Sequence, residues 1–221
     1  MTSLLLIDLD GTAREILSGQ ICPTYAKDQK LRLQFANQCD LLKKKGWVIV
    51  AVTNQGGCEA INPDTGKPYK TRRQAVAECK YFLDLASWCD RAYMCPNKKG
   101  SDCDEVYRIS RSYWWPWPKY WVTHEYNNEH PYYQTRGYCK PNPGMLELAA
   151  KDQEEKEWSQ ARELGIRERD MAEIKINALM IGNMNTDRLA ADSIKISYLD
   201  VKNFEAKSVE NLTSLAKASQ I

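Results

Sequence analysis

Apolar residues fall along the chain in two rhythms. Leu4-Leu5-Leu6-Ile7, Trp47-Val48-Ile49-Val50-Ala51-Val52 and Ala178-Leu179-Met180-Ile181 are unbroken runs bounded by polar turns. Runs this short predict strands, and their lack of alternation places them in a sheet covered on both faces. Elsewhere the apolar positions recur every three or four residues. Leu31, Phe35, Cys39 and Leu42 predict a helix over about 26–45, with Lys43, Lys44 and Lys45 in its last turn and Gly46 ending it. Ala75, Cys79, Phe82, Leu83 and Ala86 predict a second over about 71–87. Asn142 before Pro143 reads as the N-cap and first position of a third, running past Ala150 toward Leu164-Gly165. Shorter segments predict a strand at 91–94, a helix at 186–192, an alternating strand near the sheet edge at 194–199 and a last helix at 208–218. Residues 13–24 and 56–70 read as polar connections.

A strand, a helix and a second buried strand form a right-handed βαβ unit, so the pattern predicts an α/β domain on a mostly parallel central sheet. The 221 residues suffice for a single domain with its own core, and periodicity is lost only from about 95 to 137, which predicts an irregular insertion. No run approaches the ~20 apolar residues of a membrane span, and the first core strand has no basic leader before it, which predicts a cytoplasmic protein. A net charge of +2, with acids and bases interspersed, gives no polybasic footprint for non-specific nucleic-acid binding. Eight cysteines in such a chain read as buried thiols or metal ligands rather than disulfides.

One compositional anomaly is local. The Trp and Tyr residues concentrate between about 107 and 138, and the two prolines among Trp114, Trp115, Trp117 and Trp121 exclude a regular helix there. Such a segment serves as a stacking platform for a base or sugar ring, or else builds its own small aromatic core or packs on a subunit partner. His124 and His130 lie in it and read as polar surface residues.

The residues with chemistry stand where the apolar runs stop. Asp8 and Asp10 follow the first strand; alternation points them the same way, while Leu9 turns inward and Gly11 lets the backbone bend. A pair so placed holds a divalent cation, divides nucleophilic and acid/base duties, or decorates a turn. Thr53, Asn54 and Gln55 end the second run, Lys140 precedes the third helix, and Asn183 and Asp187 follow the 178–181 run. Ligands bind beyond the carboxyl ends of strands in an open α/β sheet, so these groups converge on one crevice. Together they supply what phosphoryl transfer needs: a nucleophile, an acid, a hard-cation site, a lysine and a hydroxyl.

DLDGT, TNQGG, KPNPGM and IGNMNTD, in this order, resemble the four motifs of the haloacid dehalogenase (HAD) superfamily of phosphohydrolases. TNQ with KPxPGM is similar to the subgroup of histidinol-phosphate phosphatase, heptose-bisphosphate phosphatase and the phosphatase domain of polynucleotide kinase. The resemblance runs from Met1 to about Tyr198, apart from the aromatic segment. It implies a three-layer Rossmann-like fold without a large cap, and a Mg²⁺-dependent phosphomonoesterase. On that resemblance Asp8 attacks phosphorus to give an aspartyl-phosphate. Asp10 protonates the leaving oxygen and later activates water, and its carbonyl reaches the metal. Thr53, Asn54 and Gln55 meet the phosphoryl oxygens, Lys140 neutralises their charge, and Asp187 orients Lys140 or the metal's waters. The Mg²⁺ site comprises Asp8, Asp10, Asn183 and Asp187. The substrate is a small sugar or metabolite phosphate, or a nucleic-acid 3′-phosphate end.

Two departures bear on this. The family usually places an acid where this chain has Asn183, which predicts weaker Mg²⁺ binding; the alternative function is a HAD-like module that binds phosphate compounds with little or no turnover. Relatives also carry a zinc loop before the lysine motif. Here its remains are Cys95-Pro96-Asn97, Cys103 and Cys139, with Cys89 as a possible fourth thiolate, so the segment is either a zinc site or a remnant loop with buried thiols.

Overall fold

The computed structural model describes residues 2–20, 22–109, 120–127, 137–166 and 176–218. Most of the Trp-rich segment and His130 therefore lie outside the described residues. Five parallel strands form the centre of the sheet: β1 (Thr2–Ile7), β4 (Val48–Asn54), β5 (Arg91–Cys95), β8 (Ile176–Gly182) and β9 (Ser197–Asp200). Their order is β5-β4-β1-β8-β9, so the chain first builds to one side of β1 and later to the other. That reversal makes the carboxyl end of β1 the topological switch point.

The alternation of each strand divides its side chains between two cores. Leu5, Ile7, Ile49 and Ala51 face α1 (Leu33–Lys44), α2 (Arg72–Leu85), α5 (Val201–Ala206) and α6 (Val209–Lys217). Leu4, Leu6, Val50 and Val52 face α3 (Gly144–Glu163) and α4 (Asn185–Ser193). The result is a three-layer α/β sandwich of Rossmann type, in which apolar burial on both faces explains the unbroken strand runs.

The structure redraws three segments. Residues 29–31 form β3 (Gln29–Leu31), which pairs antiparallel with β2 (Arg14–Ile16), so α1 begins at Leu33 and residues 13–24 hold half of a hairpin. The segment predicted as irregular contains β6 (Asp102–Ile109) and β7 (Tyr120–Asn127), which extend the sheet antiparallel beyond β5. Charged residues on β6 disguised it: buried Asp104 takes both hydrogen bonds of Arg72 at 2.7 Å, and buried Glu105 takes one from Arg91 at 2.7 Å. Pro143, rather than Asn142, occupies the N-cap of α3, with no side-chain cap.

Candidate active site

The ends of β1, β4 and β8 deliver the predicted groups to one place. Hydrogen bonding between β1 and β8 continues through Asp8, whose N–H donates to the Ile181 carbonyl at 2.9 Å. Beyond it the Leu9 carbonyl accepts from the N–H groups of Thr12, Ala13 and Arg14, a tight turn that Gly11 enters at φ 77°. An added Cβ at Gly11 would lie 2.4 Å from Asn183 Nδ2, so a side chain there would displace the Asn183 amide.

Lys140 is the centre. Its Nζ donates to Asp8 Oδ1 at 2.7 Å, to Asp187 Oδ1 at 2.6 Å and to the Val52 carbonyl at 3.0 Å. Three donors meet three acceptors, and the residue is buried. Burial opposes its charge, but Asp8 and Asp187 outweigh that and raise its pKa. Burial lifts Asp8 more than Lys140 lowers it, to about 6. Asp187 is fully committed: its Oδ2 accepts from the Met184 N–H at 3.1 Å at the start of α4. It stands behind Lys140 as an orienting group, and Gly182 leaves it room, since a Cβ there would lie 2.3 Å from Asp187 Oδ2.

The TNQ residues divide their work. Asn54 does not present its side chain to the crevice; its Nδ2 donates to the Lys140 carbonyl and its Oδ1 accepts from the Lys140 N–H, both at 2.9 Å. It fixes the backbone of the lysine loop. Thr53 and Gln55 are buried, and Gln55 Nε2 donates to Thr53 Oγ1 at 3.1 Å. Gln55 therefore reaches inward to Thr53.

Asp10 is the accessible carboxylate, its side chain 27% exposed, and its Oδ1 accepts from Arg14 Nε at 2.7 Å. Arg14 is fully buried and escaped the sequence reading, as did its further partners. Its Nη1 donates to Gln29 Oε1 at 2.7 Å, and Glu78 Oε2 lies 3.7 Å from its Nη2. Glu78 in turn binds Lys70 through both oxygens, at 2.8 and 2.7 Å. One signal was available: Glu78 interrupts the apolar stripe of α2 between Ala75 and Cys79.

The cation implied by the resemblance can be tested on the donors. Among the described residues no three His, Cys, Asp or Glu side chains converge, because Lys140 holds Asp8 and Asp187. An all-oxygen set of a different kind is present: Thr12 Oγ1 lies 3.2 Å from both Asp8 Oδ2 and Asn183 Oδ1, which brings these two acceptors around one point. A carboxylate and an amide oxygen suit a hard divalent ion. The zinc expectation does not fit. Cys89 packs in the core on the opposite face of the sheet from Cys95 and Cys103. Cys95 Sγ donates to the Asn97 carbonyl at 3.0 Å, and buried Cys103 has its thiol pushed up by desolvation. Cys139 does meet Cys95, a thiol contact that draws its pKa down to about 7.

No family model matches the chain, and no curated protein does. Similar solved structures include a Mesorhizobium loti protein described as a HAD-like phosphatase, 20% identical over 86% of this chain and 66% of its own, with a TM-score of 0.48. Another is D,D-heptose 1,7-bisphosphate phosphatase from B. bronchiseptica, complexed with magnesium and phosphate, 15% identical over 95% of this chain and 88% of its own, with a TM-score of 0.47.

Proposed function

We propose that the protein is a HAD-type phosphomonoesterase that works through an aspartyl-phosphate on Asp8. The observation that carries this reading is the buried Lys140 bridging Asp8 and Asp187 at the switch point of the sheet, with the partly exposed Asp10 two residues on from Asp8. Asp8 Oδ2 lies with Asn183 Oδ1 on the cation side beside Thr12, so Oδ1, held by Lys140, is the oxygen placed to attack phosphorus. Asp10, whose Oδ1 is tied to Arg14, uses Oδ2 to give a proton to the leaving oxygen and then to take one from water. Thr53 donates to the phosphoryl oxygens, and the Lys140 charge beside Asp8 Oδ1 offsets the charge that develops on them. Asp8, the Asp10 carbonyl and Asn183 would hold Mg²⁺, which supplies charge neutralisation for the phosphate when bound. The substrate class is a phosphate monoester, either a small metabolite or a nucleic-acid 3′ end. Phosphate release from an aryl phosphate with Mg²⁺ tests the reading: wild type turns over and Asp8→Asn falls by at least about a thousandfold, as expected for loss of a nucleophile. Equal inertness of both proteins over a broad ester panel would overturn it.

A further inference from the structure

Behind the crevice a chain of buried polar groups runs from Asp10 to Thr53: Asp10, Arg14, Glu78, Lys70, Gln55 and Thr53. All but Asp10 are buried. Burying two cations and a carboxylate is costly in free energy, and packed apolar residues of similar volume would serve stability as well or better. The arrangement has a consequence at the crevice that follows from hydrogen-bond polarity alone. Lys70 can only donate, and its Nζ donates to Gln55 Oε1 at 3.2 Å while both Glu78 oxygens hold it in place. That contact decides which way the Gln55 amide lies, so Nε2, which can only donate, faces Thr53 Oγ1 at 3.1 Å. Thr53 Oγ1 is thereby an acceptor toward Gln55, and its single proton is left to point away from that amide.

We propose that Lys70 and Gln55 form a polarity relay that makes Thr53 an obligate hydrogen-bond donor to the phosphoryl oxygens. Gln55 is on this view a positioning residue rather than a substrate contact, and Lys70 and Glu78 position Gln55. The inference rests on the phosphatase reading and deepens it. A hydroxyl otherwise free to rotate is pre-set for an anion, so no reorganisation is needed when phosphate binds. At the other end of the chain Arg14 fixes Oδ1 of Asp10, so one buried network orients both the phosphate donor and the acid/base.

A double-mutant cycle tests the relay, with inorganic phosphate titrated calorimetrically into the full chain in the presence of Mg²⁺. Gln55→Glu presents only acceptors to Thr53 and turns its proton inward. It also adds a charge that weakens phosphate binding by itself, so the same substitution is made in the Thr53→Val background, where only the charge effect survives. The expected result is that Gln55→Glu weakens phosphate binding about tenfold or more when Thr53 is present, and by a factor at least about fivefold smaller in the Thr53→Val background, a coupling typical of contacting groups. Gln55→Met, which removes the amide without reversing polarity, stays within about threefold of wild type, since a hydroxyl that can still donate outward is little changed by removal of one neutral partner. Thermal melts confirm that each protein is folded, and if Gln55→Glu does not fold, Lys70→Met with Glu78→Gln, which frees the Gln55 amide to turn its oxygen toward Thr53, replaces it in the cycle with the same expected coupling to Thr53→Val. No coupling in the cycle, or a Gln55→Met defect as large as that of Thr53→Val, would overturn the relay. If wild type retains Asp8-dependent phosphate release in that case, the phosphatase reading stands without it; wild type that neither binds nor releases phosphate removes both.

Discussion

The site depends on residues that are tightly held from behind. Gly182 illustrates this, because its missing Cβ is what lets Asp187 reach Lys140. Gly182→Ala forces Asp187 away and releases one of the three acceptors of Lys140. Steady-state assays on an aryl phosphate are expected to show kcat down about a hundredfold, the effect of misplacing a reacting group by about 1 Å. Lys140→Ala is more damaging to the fold than to any one contact. It leaves two buried carboxylates facing each other, and chemical denaturation is expected to register a loss of ~3–5 kcal/mol. Asn183 poses a separate question, since its Oδ1 shares the Thr12 hydroxyl with Asp8. Asn183→Asp adds a formal charge to that oxygen set. It should lower the Mg²⁺ concentration for half-maximal turnover roughly tenfold, the scale of one added anionic ligand contact of ~1.4 kcal/mol. An unchanged Mg²⁺ dependence would remove Asn183 from the ligand set.

Among the elements, the β2–β3 hairpin follows directly on the DxDGT turn, and a single carboxylate closes its loop. Asp28 accepts from the N–H and hydroxyl of Ser18 and from the N–H and hydroxyl of Thr24, at 2.6–3.0 Å. Burial works against its charge, but the bonds from Ser18 and Thr24 prevail and hold its pKa at about 2. Because the folded pKa lies below the unfolded one, the stability it adds is full above about pH 4 and is lost as pH falls toward about 2. Asp28→Asn should therefore lower the melting temperature at pH 7 by roughly 2–6 °C, corresponding to ~1–2 kcal/mol in a chain of this size. The gap between wild type and variant should close in melts taken progressively from pH 4 downward. A gap independent of pH would show that the hydrogen-bond geometry, not the charge, carries the effect. This hairpin was invisible to periodicity because its strands have three residues each and its anchor is a polar residue.

For the whole molecule, what could be read from the sequence follows from which forces bury each part. The parallel centre is held by apolar contact on both faces, so β1, β4 and β8 stand out as runs, and the groups at their ends stand out with them. The antiparallel extension is held partly by ion pairs, Arg72 with Asp104 and Arg91 with Glu105, and hydropathy counts those residues as surface. Arg14, Lys70 and Glu78 were hidden for the same reason: their burial depends on charged and polar partners, which hydropathy counts as surface. Charge on the larger scale bears on substrate choice. A net charge of +2 gives little long-range attraction for a polyanion, so on the proposed function any preference between a metabolite phosphate and a 3′-phosphorylated oligonucleotide would come from contacts near the site. These two classes differ in their response to salt. Each backbone phosphate contacted on a single strand contributes a slope of about −0.7 to the logarithm of affinity against the logarithm of salt concentration. If the protein grips an oligonucleotide by two or three phosphates, kcat/KM on that substrate should fall with a slope of about −1.4 to −2.1, while kcat/KM on an aryl phosphate stays nearly flat over the same range. Equal, shallow slopes on both substrates would mean that only the terminal phosphate is held, and would assign the protein to small phosphate esters.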